Sequence, residues 1–134
     1  TIETRNLALL ELSTPVTEVW DGVLLAPIVG ILDAKRSTDV MNRALSKIVQ
    51  YRATILVLDI SGVPIVDTTA ASHLINVAKA AQLLGCRAIL TGISPEIAQT
   101  MVGIDLGSVE TTQTIESALR GLIQSRAESI VTAS

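Results

Sequence analysis

A nearly continuous run of β-branched and leucine side chains, Thr54–Ile60 (TILVLDI), constrains the fold more than any other segment. It lacks the alternation of apolar and polar residues that marks a half-exposed strand, and is typical of a strand covered on both faces in a parallel sheet. Parallel neighbours need long crossover connections, which are usually helical. Apolar residues recur at helical spacing on both sides of the run, at Ser37–Tyr51 and at about Thr69–Leu84. An α/β fold is therefore predicted.

The rest of the chain predicts further strands and helices in a regular order. The remaining segments are strands at Leu7–Leu12, Val16–Trp20, Val23–Leu32, Cys86–Thr91 and around Ser108–Glu110, a short helix from Ser94 to about Val102, and a last helix at about Thr114–Ser125. The order β-β-β-α-β-α-β-α-β-α predicts a mixed sheet with helices packed mainly on one face.

Local signals predict where the helices begin and end. Asp33, Ser37 or Asp39 could start the first helix, Asp67 is favoured as the N-cap of the second, and Ser94 as that of the third. Gly85 suits the position just after the second helix. The last nine residues, 126–134, are expected to form a frayed tail, and residues 1–134 a single domain with its core at about 7–125.

Composition excludes several classes of function. The 134 residues carry a formal charge of −3, which argues against duplex nucleic acid and membrane surfaces as partners, since both attract a basic face. One histidine and one cysteine are too few for a zinc site of Cys/His type or an internal disulfide. No phosphate-cradling glycine motif occurs. We therefore expect neither a metal nor a cofactor.

The segment that follows the apolar strand carries the candidate site. Asp59-Ile60-Ser61-Gly62-Val63-Pro64-Ile65-Val66-Asp67-Thr68-Thr69-Ala70 runs from a strand end, through a turn, to a helix start. Ligand and partner sites gather beyond the carboxyl ends of strands in open α/β sheets. Asp67, Thr68 and Thr69 can be read simply as a capping cluster. They can also be read as a phosphoacceptor, because a helix N-terminus tolerates added negative charge.

Two further hypotheses use the same loop. A small hydrolase or transferase could employ Asp59, Asp67 and His73, provided that the imidazole reaches an acceptor hydroxyl. A nucleotide or small anion could instead bind at the N-terminus of the helix. A single histidine on a helix is usually a packing or surface residue, so the enzyme hypothesis is the weaker one.

Three segments resemble a known family. They read ELSTPVTEVWDGVLLAPIVGILDAKR, DISGVPIVDTTAASHL and GISPEIAQTMVGIDL, and the resemblance extends over about residues 10–123. They are similar to the STAS domain (sulphate transporter and anti-sigma-factor antagonist), in particular to the C-terminal STAS domain of RsbR-type stressosome proteins. The resemblance implies the STAS fold and an N-terminal sensor domain ahead of this chain.

The resemblance also implies site residues. The family's phosphoacceptor falls on Thr68, with Thr69 as the alternative, and the second phosphorylatable threonine of RsbR-type members falls on Thr100. We expect Asp67, Ser61 and Gly62 to contact the partner. Simple anti-sigma-factor antagonists tend to have Asp-Ser-Ser-Gly where this chain has Asp67-Thr68-Thr69-Ala70, a departure that favours the RsbR branch.

The implied function is that of a non-enzymatic, phosphorylatable scaffold. Its expected partners are a switch-type serine/threonine kinase, a paralogous scaffold protein of RsbS type, and further copies in a homodimer or larger oligomer, all in the cytoplasm of a bacterium. The alternatives are a simple anti-sigma-factor antagonist and a STAS domain that binds a nucleotide or anion.

Overall fold

The computed structural model describes the backbone of residues 15–133 and the side chains of residues 15–124. The strand predicted at Leu7–Leu12 lies outside the described residues. Within them the elements, in chain order, are β1 Thr17–Trp20, β2 Val23–Val29, α1 Ala34–Tyr51, β3 Ile55–Gly62, α2 Thr68–Leu83, β4 Arg87–Thr91, α3 Pro95–Met101, β5 Glu110–Thr111 and α4 Ile115–Ala133.

The strands form one mixed sheet in the order β1-β2-β3-β4-β5. The edge strand β1 pairs antiparallel with β2, whereas the pairings β2–β3, β3–β4 and β4–β5 are parallel. The apolar run therefore occupies the middle of the sheet, and Leu56–Ile60 are buried. The α/β class and the mixed sheet predicted from the sequence are confirmed.

Helices cover the two faces of the sheet unequally. The larger core packs α1, α2 and α3 against one face, for example through Val40, Leu74 and Ile97. On the other face, Ala118 and Leu122 of α4 pack against side chains of β2, β3 and β4. Three of the four helices in the described part of the chain thus share a face, as predicted. None of these helices is both long and apolar enough to span a membrane.

The predicted caps are present. Asp33, Asp67 and Ser94 each accept a hydrogen bond from the backbone N–H three residues later, and so satisfy a donor that the first helical turn leaves free. Of the three candidates for the start of α1, the structure selects Asp33. Gly85 follows α2 with φ +82°, a left-handed conformation that glycine adopts without strain.

Several boundaries differ from those predicted. Strand β2 ends at Val29 because Gly30, with φ +87°, turns the chain away. The strand predicted around Ser108–Glu110 is observed as the two-residue strand β5, Glu110–Thr111. The last helix continues to Ala133 instead of ending at Ser125. The frayed tail expected for residues 126–134 stays a prediction. These residues include no glycine or proline that would end a helix.

Candidate functional site

The candidate site lies at the carboxyl edge of the sheet, where β3 leads into α2. A tight turn follows the strand, with the backbone N–H of Val63 donating to the carbonyl of Ile60 at 3.0 Å. The carbonyl of Gly62 accepts from the N–H of Gly30 at 3.0 Å, which joins this loop to the loop after β2. Val63 and Val66 are buried in the main core. The loop is therefore anchored at both ends, and α2 starts from a fixed position.

Thr68 is the first residue of α2 and its side chain is exposed. The preceding residue, Asp67, is the N-cap: its Oδ1 accepts from the N–H of Ala70 at 2.8 Å, and its carbonyl accepts from the N–H of Ala71 at 2.9 Å. Thr69 is exposed as well. Among the described residues, no hydrogen bond engages the hydroxyl of Thr68 or Thr69. Asp67 therefore supplies the cap, and both threonine hydroxyls are open to an approaching protein.

A buried carboxylate organises the strand end behind the site. Asp59 is only 7% exposed, and its two oxygens accept from the hydroxyl of Ser61 at 2.8 Å and from that of Thr91 at 3.0 Å. Gly92, at φ +83°, passes so close that a Cβ there would stand 2.4 Å from the backbone N of Ser61. These contacts join the ends of β3 and β4, and the two hydroxyl groups provide the hydrogen bonds that the buried carboxyl group of Asp59 needs.

Thr100 occupies a different environment from Thr68. It is half-buried in the last turn of α3, and its hydroxyl donates to the carbonyl of Glu96 at 3.3 Å. A phosphate at Thr100 would break this bond and stand near the negative end of the helix dipole, whereas a phosphate at Thr68 would stand near a positive end. The two threonines are thus unlike in access and in electrostatics.

The structure does not assemble the catalytic group that the enzyme hypothesis requires. Asp67 is engaged as a helix cap and Asp59 by two hydroxyls. His73 lies five residues after Thr68, which places it about 140° around the helix, and it follows Thr69 by one turn instead. Within the described part of the chain, no hydrogen bond links His73 to either carboxylate, and no three metal-binding side chains converge.

Burial also explains the protonation state of the single cysteine, Cys86. Cys86 precedes β4 and is 2% exposed. This desolvation raises the pKa of the Cys86 thiol to about 11, so the thiol stays protonated at neutral pH. It is a small buried apolar residue, as its position in the sequence suggests.

Sequence reasoning missed Thr91 and Gly92 as parts of the site. Their partners, Asp59 and Ser61, lie about thirty residues earlier, and only the β3–β4 register Asp59↔Thr91 brings them together. The available signal was a polar residue at the end of each of two neighbouring parallel strands, which implies that their side chains meet at one sheet edge.

Comparison of the sequence with known proteins assigns this chain to a family. The STAS domain family model matches residues 14–118. The chain is 38% identical, over 133 residues, to the Bacillus subtilis "RsbT co-antagonist protein RsbRA"; the match covers 98% of this chain and 48% of that protein. The chain therefore spans about half the length of this curated relative.

Solved structures agree with the sequence comparison. A substituted form of RsbS from Moorella thermoacetica superposes with a TM-score of 0.72 at 29% identity, covering 85% of this chain and 97% of that one. A chain from "Molecular architecture of the stressosome, a signal integration and transduction hub" gives a TM-score of 0.66 at 29% identity, covering 82% and 96%. The chain belongs to the STAS domain family and is homologous to the RsbR co-antagonist proteins.

Proposed function

We propose that this chain is a non-enzymatic, phosphorylatable STAS scaffold of a bacterial stressosome that regulates a switch-type serine/threonine kinase in stress signalling. Homology to RsbR co-antagonists and to stressosome structures supports the scaffold role. The observation that carries the switch is the exposed, unengaged hydroxyl of Thr68 directly after the helix cap Asp67.

The cap residue makes Thr68 available as a phosphoacceptor. Because Asp67 already satisfies the N–H of Ala70, the hydroxyl of Thr68 is not needed for helix capping and can point to solvent. Phosphate adds about −1.5 to −2 charge at this point. The N-terminus of α2 offsets part of that charge, so modification changes the surface without unfolding the helix.

The surface around Thr68 is suited to being read by a partner. Ser61 and Gly62 end β3, Asp67 ends the loop that leads from there to Thr68, and Ile65 in this loop is 78% exposed. The loop is held by the Gly30–Gly62 hydrogen bond and by its buried valines. A rigid loop with an exposed apolar tip binds with little loss of conformational entropy, and a new dianion beside it alters the affinity.

Thr100 is the proposed second switch position, with a different physical effect. Its modification requires the bond to the carbonyl of Glu96 to break and places a dianion near the C-terminus of α3. Both changes weaken the helix. We therefore expect Thr100 to be phosphorylated more slowly than Thr68, and its phosphate to loosen α3.

Phosphate incorporation by variants tests the proposal. The cognate kinase and ATP are mixed with the chain and with Thr68→Ala, Thr69→Ala and Thr100→Ala, and incorporation is measured by intact mass. Thr68→Ala and Thr100→Ala should each lose one phosphate, and Thr69→Ala none. Thr38→Ala is the matched control for Thr100→Ala, because the hydroxyl of Thr38 also donates to the carbonyl four residues earlier, at 3.1 Å.

Two outcomes would contradict the assignments. Unchanged incorporation in Thr68→Ala, with a loss in Thr69→Ala, would move the acceptor by one residue. Equal losses in Thr38→Ala and Thr100→Ala would show that disturbance of a helix, and not removal of an acceptor, lowers the incorporation.

A further inference from the structure

We infer that Arg36 is a positioning residue for Thr68. Its guanidinium group fixes the loop after β2, and this loop in turn fixes the start of the segment that leads from β3 to Thr68. Arg36 lies on a different helix from Thr68, in the first turn of α1, and is half-buried. The inference rests on the proposed phosphorylation of Thr68 and adds to that site a residue that controls how the hydroxyl is presented to the kinase.

The guanidinium group of Arg36 binds the loop after β2 on both sides of Gly30. Its Nη1 donates to the carbonyl of Val29 at 2.7 Å and to that of Ile31 at 3.5 Å. A Cβ on Gly30, which has φ +87°, would lie 3.5 Å from the same nitrogen. Hydrogen bonds from a charged donor are about twice as strong as those between neutral groups. One side chain of α1 therefore holds the turn at Gly30.

Gly30 passes this restraint to the end of β3. Its backbone N–H donates to the carbonyl of Gly62, the last residue of that strand, at 3.0 Å. Beyond Gly62 the chain is next held where Val66 enters the main core and where Asp67 caps α2. The segment between Gly62 and Thr68 is thus fixed at its far end by the core and the cap, and at its near end by the loop that Arg36 binds.

The place of Arg36 in its helix supports a role in the loop. A positive charge in the first turn of a helix is unfavourable, because the helix dipole is positive at that end. The neighbouring Lys35 carries the same charge but is exposed, so its side chain extends into water. Arg36 is half-buried and reaches back to the carbonyls of Val29 and Ile31. These hydrogen bonds offset the unfavourable position of its charge.

Loss of the Arg36 hydrogen bonds should free the loop and leave the sheet folded, because the apolar side chains of β2 and β3 stay buried in the core. A kinase that docks at Thr68 then has to order the loop as it binds, which weakens binding. Once the complex has formed, the hydroxyl is in place. The KM of the kinase for the chain should therefore rise while kcat stays the same.

Amide hydrogen exchange of the full 134-residue chain, followed by NMR, tests the restraint without any kinase. Arg36→Met keeps an unbranched apolar side chain but has no donor, and the Gly30 amide should then exchange at least about tenfold faster. The amide of Leu58, in the middle of β3, should stay within about twofold, which shows that the sheet is intact. Lys35→Met is the matched control, because it removes the same charge from the same turn and should leave Gly30 unchanged.

Steady-state kinetics with the cognate kinase and ATP test the positioning role. Arg36→Met should raise KM for phosphorylation of Thr68 at least about fivefold, with kcat within about twofold. Phosphorylation of Thr100, on α3, should stay within about twofold in the same samples, so it serves as an internal reference. Arg36→Lys keeps the charge and can donate to a carbonyl, and should restore part of the loss. Lys35→Met should change neither threonine.

The results distinguish failure of this inference from failure of the proposed function. An original chain that receives no phosphate on Thr68 would overturn the proposed function and the inference with it. Normal phosphorylation of Thr68, with unchanged Gly30 exchange or unchanged KM in Arg36→Met, would overturn the inference alone. Equal losses at Thr68 and Thr100, or equal losses in Lys35→Met and Arg36→Met, would also overturn it, because they would trace the effect to stability or to net charge.

Discussion

At the residue scale, the absence of a side chain at Gly92 allows the ends of β3 and β4 to pack closely together. A Cβ at this position would stand 2.8 Å from the Cα of Ser61 and 2.9 Å from Oδ1 of Asp59, and the backbone is left-handed at φ +83°. Side-chain flexibility cannot relieve a clash with backbone atoms. Glycine is therefore required here by space as well as by conformation.

Gly92→Ala should lower the free energy of unfolding by about 3 kcal/mol or more, since overpacking adds to backbone strain. Gly85→Ala is the matched control: Gly85 has φ +82°, but nothing lies within 4 Å of its Cβ position. It should cost only about 1–2 kcal/mol from the left-handed backbone. Urea unfolding of both variants measures the difference, and equal losses would contradict the clash.

The burial of Cys86 predicts its reactivity. Because desolvation raises the thiol pKa to about 11, little thiolate forms at pH 8, and the thiolate is the reactive species. In the folded chain, labelling by a disulfide reagent should be slow, and it should become rapid in denaturant. Rapid labelling of the native chain at pH 8 would contradict the burial of this residue.

At the element scale, the two candidate threonines lie at opposite ends of their helices. Thr68→Glu adds charge where the dipole of α2 is positive, although Asp67 is adjacent, so unfolding free energy should change by less than about 0.5 kcal/mol. Thr100→Glu removes the bond to the carbonyl of Glu96 and places two carboxylates one turn apart, so it should cost about 1 kcal/mol.

Neutral variants isolate the charge in this comparison. Thr68→Gln and Thr100→Gln change the side chain without adding a carboxylate, and the difference between Glu and Gln at each position gives the electrostatic part. Thermal unfolding of the four variants measures these differences in stability. A larger loss for Thr68→Glu than for Thr100→Glu would contradict the orientation of the two sites in their helices.

The short strand β5 is held by an ion pair in addition to its backbone bonds. Arg87 donates to both oxygens of Glu110, and its Nη2 lies 2.7 Å from Oε1. The hydrogen bond from Arg87 holds the pKa of the Glu110 carboxyl below its usual value. A carboxyl with a lowered folded-state pKa adds stability above its unfolded pKa, and this stability is lost as the pH falls through the folded value.

Glu110→Gln should therefore lower the free energy of unfolding at pH 7. It should have no such effect at pH values low enough to protonate Glu110 in the folded chain. Both side chains are nearly half exposed, so the effect should be no more than about 1 kcal/mol. Urea unfolding across pH 2–7 measures it. A loss of equal size at pH 7 and at pH 2 would show that the effect is not electrostatic.

At the scale of the whole molecule, the features of the fold that are set by residues close together in the sequence could be predicted. The cap Asp67 and the terminating Gly85 act within one turn of their helices, and the apolar run Thr54–Ile60 indicates a central strand without reference to its neighbours. The exposure of Thr68 follows from the cap, because Asp67 already fills the capping role.

The parts that depend on packing between distant segments could not be predicted. The apolar residues of α4 show that the helix is covered, but not by which face of the sheet. The network at Asp59 requires the β3–β4 register.

The proposed switch is tested most directly by locating phosphate on the original chain after reaction with the cognate switch kinase and ATP. Peptide mapping by mass spectrometry over a time course reports each threonine separately. Phosphate should appear first on Thr68, at the start of α2, and later on Thr100. A fully reacted chain whose Thr68 peptide carries no phosphate would contradict it.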